Sequence, residues 1–171
     1  MSEPRRRRVD VILDPAYLSG VADRSLDDLR QMHGECLEVE TEFSYVRRLA
    51  QARIGIITAE RDRRAAGGSV GDLLSALPRI LADDFPRPAP EHTRIPRLLA
   101  PAPNIQWRRG LEYLINDATL VNLPTISDDE IRRTLAKLAE LEEDTSKRRR
   151  EIHAVIDVIE AELAARHVSH G

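Results

Sequence analysis

Aromatic residues and cysteines are scarce in this chain of 171 residues. Aromatics make up only 4%, which argues against a large compact core and favours extended helices with narrow apolar stripes. The single cysteine, Cys36, excludes an intramolecular disulfide and a zinc site built from cysteines. No apolar run approaches the roughly 20 residues that a membrane-spanning helix needs. We therefore expect an all-helical protein that makes no use of a membrane.

A strong charge of one sign is also missing. The formal net charge is −3, with 26 Lys and Arg against 29 Asp and Glu, so nothing suggests DNA as a direct partner. Four arginines at positions 5–8 form a basic N-terminal run. Because no apolar stretch follows them, this run is not a signal peptide. Together these features predict a cytoplasmic protein.

The sequence lacks the motifs of common enzymes. It has no glycine-rich phosphate loop, no nucleophile elbow and no histidine–carboxylate–serine set at a defensible spacing. His153 and Asp157 are four residues apart and could suggest a metal, but the complementary Glu-x2-His pairs of di-iron bundles are missing. We therefore predict neither catalytic residues nor a metal site.

What the chain does contain is one long segment that occurs twice. Aligning Ser25–Glu60 with Ser127–Glu162 gives 13 identities in 36 positions without a gap. Coiled coils usually resemble one another through their leucines, whereas most identities here are polar. They include Glu40/Glu142, Ser44/Ser146, Arg47/Arg149 and Arg48/Arg150. Polar residues repeated at fixed helical spacings indicate two half-sites for one ligand.

Both copies carry the signals of a long helix. Ser25 with Asp28, and Ser127 with Glu130, have the spacing of helix N-terminal caps. Apolar residues then recur at alternating steps of three and four. In the first helix they are Leu29, Met32, Cys36, Val39, Phe43, Val46, Ala50 and Ile57, and in the second Ile131, Leu138, Leu141, Ile152, Val155 and Ile159. Neither helix can bury its stripe alone, so we predict an antiparallel coiled-coil hairpin that relates the copies by an approximate two-fold axis.

We divide the chain into five segments. They are an N-terminal lead-in at 1–24, the first coiled-coil helix at 25–64, an insert at 65–126, the second coiled-coil helix at 127–166, and a tail at 167–171. Gly67 and Gly68 should end the first helix. Within the insert we predict a short amphipathic helix over Val70–Asp83, a proline-rich loop over 86–103, and another short helix over Trp107–Asp117.

The repeated polar residues form one stripe on each helix. Spacings of three and four residues place them on a common face beside the apolar seam. The first stripe is Glu40, Ser44, Arg47 and Gln51, and the second is Glu142, Ser146, Arg149, His153 and Asp157. These residue types suit a guanine nucleotide: arginine can bond guanine O6 and N7, carboxylates accept from its N–H groups, and serine and further arginines serve phosphates. Arg48 and Arg150 are the additional phosphate candidates. A rival interpretation is a solvated face with intrahelical ion pairs.

These stripes resemble Glu-x3-Ser-x2-Arg-x3-Gln-x3-Asp, the cyclic di-GMP signature of the RsiG family. That family consists of actinobacterial anti-sigma factors that hold the sporulation sigma factor WhiG. Ser-Tyr-Val-Arg-Arg at 44–48 and Leu-Asp-Pro-Ala-Tyr at 13–17 are also similar to the family. The resemblance implies that a dimer of cyclic di-GMP binds the hairpin. The loaded protein would then sequester a WhiG-type sigma factor and repress its sporulation genes during development.

The chain differs from the family pattern at two positions. Gly55 stands where the pattern has Asp, and His153 stands where it has Gln. The histidine can still donate or accept a hydrogen bond, whereas the glycine removes a carboxylate. The alternative function is a ligand-independent coiled-coil adaptor whose repeat is a remnant of duplication, and the loss of Asp at position 55 favours it.

Overall fold

A computed structural model of the chain describes residues 7–83 and 120–169, and within them it contains helices and no strand. The α-helices are α1 (Arg8–Ile12), α2 (Leu26–Ala66), α3 (Val70–Asp83) and α4 (Asp128–Ser169), with 3-10 turns at Pro15–Leu18 and Val21–Asp23. The predicted all-α class is confirmed, as is the short helix α3. The predicted proline-rich loop at 86–103 and the short helix at Trp107–Asp117 lie outside the described residues.

The chain divides into two compact units, and both contain parts of α2 and α4. We call residues 7–44 and 146–169 the terminal unit, and residues 45–145 the central unit. Inside each unit, residues that come later in α2 contact residues that come earlier in α4. They include His33–Glu160 and Glu40–Arg149 in the terminal unit, and Arg47–Glu142 and Arg64–Asp128 in the central unit. The helices therefore pack in antiparallel fashion within each unit, as the hairpin prediction requires.

The apolar seam of α2 is buried along its predicted length. All eight seam residues are at most 6% exposed, and three of them, Leu29, Cys36 and Ala50, are fully buried. In the central unit, Val46 and Ile57 form one core with Leu73 of α3 and with Ile131 and Leu138 of α4. The seam was therefore predictable from its spacing alone.

The seam of α4 differs from the prediction at two positions, of which the first, Leu141, is only partly buried. Val155 is only half-buried, and its neighbour Ile156 is fully buried instead. Positions three and four residues after Ile152 both border the seam, and the larger isoleucine buries more apolar area there. Thr145 is also buried in the seam, and its hydroxyl donates to the carbonyl oxygen of Leu141 at 2.6 Å. That bond satisfies a polar group which water cannot reach.

The predicted helix caps are confirmed. The Ser25 hydroxyl accepts from the backbone N–H of Asp28 at 3.1 Å, and the Ser127 hydroxyl accepts from that of Glu130 at 3.2 Å. At the other end of α2, Gly67 has a φ of +67°, a left-handed conformation that glycine adopts without strain. Such a residue closes a helix by satisfying its last carbonyl groups.

An arginine near the end of α2 ties this helix to the segment that leads into α4. In the central unit, Arg64 donates to the carbonyl oxygens of Leu123 and Ile126, both at 2.8 Å. Glu60, one turn earlier, holds Arg64 at 2.7 Å and also accepts two bonds from Arg63 at 2.7 and 2.8 Å. Three charged side chains thus fix this end of the helix.

The same device occurs in the terminal unit. Arg166, near the end of α4, donates to carbonyl oxygens of the segment 21–24 that leads into α2, and Glu162 holds it at 2.8 Å. Glu162 is equivalent to Glu60, and Arg166 to Arg64, because each pair is separated by the 102 positions that separate the two copies. The structural repeat therefore extends beyond the polar stripe to the ends of the helices.

Glu60 is the most deeply buried carboxylate of the described residues, with its side chain 1% exposed. Hydrogen bonds from Arg63 and Arg64, with the charges of both arginines, outweigh the cost of burial and lower the pKa of Glu60 to about 2. Because the folded-state pKa is depressed, the stabilisation is complete above about pH 4.5, the group's ordinary value, and is lost as the pH falls towards 2.

We predict that Glu60→Gln lowers the free energy of unfolding by about 1–3 kcal/mol at neutral pH, since both arginines lose a charged acceptor. The difference from the wild type should shrink as the pH falls from about 4.5 towards 2, because the wild-type carboxylate is then protonated. Urea unfolding at a series of pH values measures both effects. Glu162→Gln is the matched control: its side chain is 25% exposed, so its loss should cost less. A pH-independent difference for Glu60→Gln would contradict this account.

Candidate functional site

In the terminal unit, Glu40 of α2 lies at the centre of a polar cluster. It accepts from the Ser44 hydroxyl at 2.6 Å, one helical turn away, and from Nε of Arg149 on α4 at 2.9 Å. Arg149 Nε also lies 2.9 Å from the Ser44 hydroxyl oxygen. The three side chains therefore share hydrogen bonds at one point between the helices.

Two further predicted residues extend this cluster along α4. His153 places Nε2 3.2 Å from the same Glu40 oxygen, an ion-pair distance that lacks the alignment of a hydrogen bond. Asp157 lies one turn beyond His153 and is exposed. We call Glu40, Ser44, Arg149 and His153 the terminal cluster, with Asp157 at its outer end.

The central unit contains a second cluster that is also built around a glutamate and an arginine. Glu142 of α4 accepts from Nε of Arg47 and from the side-chain amide of Gln51, both at 3.1 Å. The side chains of Arg47 and Glu142 are 33% and 26% exposed, so they lie between the buried seam and solvent. We call these three residues the central cluster.

Each cluster combines residues from both copies of the repeat. The glutamate of one copy is bonded by the arginine of the other copy, as Glu40 is by Arg149 and Glu142 by Arg47. The residue four positions after each arginine approaches the same glutamate. From the sequence we expected each stripe to act as a half-site on its own helix. The structure assembles each cluster across two helices, a pairing that single-helix spacing cannot reveal.

The electrostatics of the terminal cluster favour a charged glutamate. Burial is the largest single influence on Glu40 and would raise its pKa. The hydrogen bonds from Ser44 and Arg149, with the charges of Arg149 and the nearby His153, outweigh burial and hold the pKa below its ordinary value. Glu40 therefore stays an acceptor of hydrogen bonds at physiological pH.

The remaining predicted ligand residues lie beside the clusters. Ser146, equivalent to Ser44, is half-buried and belongs to the terminal unit. The phosphate candidates differ in exposure: Arg48 is half-buried and Arg150 is exposed. Each follows directly after a cluster arginine, so its side chain is rotated by about 100° around the helix from that arginine, away from the seam.

One residue next to the site, Gly55, makes a packing contact that the sequence analysis did not predict. Gly55 follows Arg47 and Gln51 at four-residue steps, and it lies beneath Ile80 of α3 in the central unit. A Cβ atom built on Gly55 would lie 2.6 Å from Cγ2 of Ile80. From the sequence we treated Gly55 only as a lost carboxylate. An isolated glycine inside a helix was the available sign of a close packing contact.

Within residues 7–83 and 120–169, no three histidine, cysteine, aspartate or glutamate side chains come together as a metal site would require. The same part of the chain has no helix with the length and apolarity to cross a membrane. The clusters are thus composed of carboxylate, arginine, amide and hydroxyl groups, which recognise polar ligands or proteins through hydrogen bonds.

An all-α hairpin that carries a duplicated carboxylate–arginine cluster defines a helical regulatory or interaction protein. The family model described as RsiG-like matches residues 15–81 and 117–171, which include both clusters. The chain therefore belongs to the RsiG-like family, a family of anti-sigma regulators. No curated protein matched the chain in a sequence search.

We predict that Arg149→Ala raises the pKa of Glu40, because the carboxylate loses a hydrogen bond and a positive charge. Titration of the Glu40 side-chain carbon by NMR measures this in the absence of any ligand. Arg150→Ala is the matched control, since it removes the same charge from the next, exposed position. An unchanged Glu40 pKa in Arg149→Ala would mean that the pair does not persist in solution.

Proposed function

We propose that the chain is an anti-sigma factor that binds cyclic di-GMP at the two clusters. In its loaded form it would sequester a WhiG-type sigma factor and repress the sporulation genes that this sigma factor transcribes. The observation that carries the proposal is the recurrence of one glutamate–arginine cluster in both units, with the two copies exchanging roles. Cyclic di-GMP is itself two-fold symmetric, so a chain with two equivalent clusters suits it, and the nucleotide would bind as a dimer.

The chemistry of the clusters suits a guanine base. The bonds from Arg149 to Glu40 and Ser44 both leave from Nε, which is one of five N–H donors on a guanidinium group. A guanine offers O6 and N7 as paired acceptors, and a bidentate arginine contact to them is worth about 1–3 kcal/mol of base discrimination. A charged glutamate can accept from guanine N1–H and from its amino group.

The phosphates of the nucleotide would be held by groups beside the clusters. Arg48 and Arg150 carry positive charge next to the cluster arginines, and Ser44 and Ser146 add hydroxyl donors. Charge-assisted hydrogen bonds of this kind are stronger than neutral ones. We accordingly propose nine ligand contacts and two further phosphate contacts. The nine are Glu40, Ser44, Arg47, Gln51, Glu142, Ser146, Arg149, His153 and Asp157.

The proposed role is regulatory and requires no catalysis. Its partner would be the sigma factor in the cytoplasm, where transcription takes place, with neither DNA nor a membrane in direct contact. Without nucleotide, the doublets Arg47–Arg48 and Arg149–Arg150 would repel a basic surface of the sigma factor. With nucleotide, phosphates and exposed guanine edges would offer acceptors to that surface.

One observation favours a second function. The glutamates and arginines of both clusters bond one another across the helices. Such pairs suit a ligand-independent coiled-coil adaptor in which they only fix the helix register. Calorimetry with cyclic di-GMP, alone and with the sigma factor, separates the two functions because an adaptor gives no heat of nucleotide binding.

We predict that Arg47→Ala and Arg149→Ala each weaken cyclic di-GMP binding at least tenfold, because each removes the proposed bidentate contact to guanine. Arg149→Lys should also weaken binding, since lysine keeps the charge but loses the planar fork. Calorimetry measures the affinities, and circular dichroism should show unchanged helix content. Arg132→Ala is the control, because that arginine is 72% exposed on the same helix and distant in sequence from the clusters. Wild-type affinity in both alanine variants would refute the site.

We further predict that cyclic di-GMP raises the affinity for the sigma factor by about 1–3 kcal/mol, the usual scale of allosteric coupling. By thermodynamic reciprocity, the sigma factor raises the affinity for the nucleotide equally. Pull-down of a WhiG-type sigma factor with and without nucleotide tests the switch. Equal capture in both conditions would leave an anti-sigma factor without a switch, and no capture in either would favour the adaptor.

A further inference from the structure

The stripe of Arg47 and Gln51 continues to Gly55, where it meets α3 instead of solvent. In the terminal unit, the equivalent position is occupied by Asp157, whose side chain is exposed. The gap of 2.6 Å between a Cβ built on Gly55 and Cγ2 of Ile80 is shorter than real Cβ contacts. Only glycine therefore permits α3 to lie this close to α2.

Helix α3 is anchored at several points besides Gly55. Leu73, seven residues before Ile80 and on the same helical face, is 8% exposed and packs in the core of the central unit. At the start of α3, the Asp72 carboxylate accepts from the Ser69 backbone at 2.7 Å and from the Ser69 hydroxyl at 2.9 Å. The turn before it is fixed by a 2.6 Å bond from Arg63 to the Gly68 carbonyl oxygen. These contacts hold α3 in place over Gly55.

We infer that Gly55 and Ile80 make the central cluster unequal to the terminal cluster in how it receives a guanine. This inference rests on the proposed function. Ile80 places a methyl group 2.6 Å from the Cβ that a side chain at position 55 would have, whereas the equivalent Asp157 is exposed, so the central cluster ends against an apolar side chain. A guanine at the terminal cluster meets an arginine and two carboxylates. A guanine at the central cluster meets Arg47 and Glu142 but lacks the outer acceptor. Gly55 and Ile80 are thus specificity-determining residues of the central half-site.

The packing of α3 on Gly55 changes the effect that we expect on nucleotide affinity when the family's Asp is restored at position 55. With α3 in place, the side chain of Gly55→Asp collides with Ile80, so the carboxylate cannot take its position unless α3 moves. Ile80→Ala removes Cγ2 and leaves Cβ 4.0 Å from the new Cβ, an ordinary van der Waals contact. The two substitutions together therefore provide both the carboxylate and the room for it.

The affinity test compares four proteins by calorimetry with cyclic di-GMP. We expect Gly55→Asp alone to bind no more tightly than the wild type, and Ile80→Ala alone is the reference with which the double variant is compared. The double variant should bind at least fivefold more tightly than Ile80→Ala. If Gly55→Asp alone binds as tightly as the double variant, α3 does not obstruct the position. If the wild type binds and the double variant gains nothing, the fifth position does not contact the ligand. Either result overturns the inference.

A ligand-free test keeps the inference separate from the proposed function. Gly55→Ala should speed hydrogen exchange of the α3 amides, residues 70–83, at least fivefold, and adding Ile80→Ala should return exchange to the level of Ile80→Ala alone. Gly34→Ala is the matched control: Gly34 also lies inside α2, but a Cβ there meets no atom within 4 Å. It should leave α3 exchange unchanged. Absent nucleotide binding by the wild type refutes the proposed function alone, whereas unaltered α3 exchange in Gly55→Ala refutes the docking of α3.

Discussion

Each long helix carries a narrow apolar stripe that it cannot bury by itself, and the remaining features depend on this constraint. Burial contributes roughly 25 cal/mol of stability per Å² of apolar surface. Along most of the seam, only the opposing helix can bury that surface. Because the stripe is narrow, the residues beside it are neither buried nor fully exposed. The glutamates and arginines of both clusters occupy this border. A carboxylate there is desolvated enough to need partners, yet it remains open to an incoming molecule.

The duplication provides these partners in a reciprocal way. In an antiparallel pair of like helices, a residue near the middle of one copy meets residues near the middle of the other. Glu40 therefore meets Arg149 by the same geometry that brings Glu142 to Arg47. The rule extends to the helix ends, where Arg64 and Arg166 each bind the backbone that leads into the opposite helix. These end contacts fix the register, and the register decides which side chains meet at the clusters.

The sequence was sufficient for the features that depend on spacing within one helix. The α2 seam, the serine caps and the glycine stop at Gly67 were all predictable, because each involves residues a few positions apart. Features that depend on a second element were not. The choice of Ile156 over Val155 depends on the shape of α2, and the mixed composition of each cluster depends on register. The contact of Gly55 with Ile80 requires the position of α3, which no periodicity specifies.

Pairing between Glu40 and Arg149 sets a condition on any ligand that enters the terminal cluster. A purely anionic ligand could bind Nε of Arg149 only by displacing it from Glu40, which would leave a partly buried carboxylate without its arginine partner. A ligand avoids the cost if it carries acceptors for the arginine and donors for the glutamate on neighbouring atoms. Guanine has this combination, with O6 and N7 as acceptors beside N1–H and the amino group as donors. The proposed nucleotide could therefore replace the bond between Glu40 and Nε of Arg149 while both side chains keep hydrogen-bonding partners, whereas a phosphate at Nε would supply no donor for Glu40.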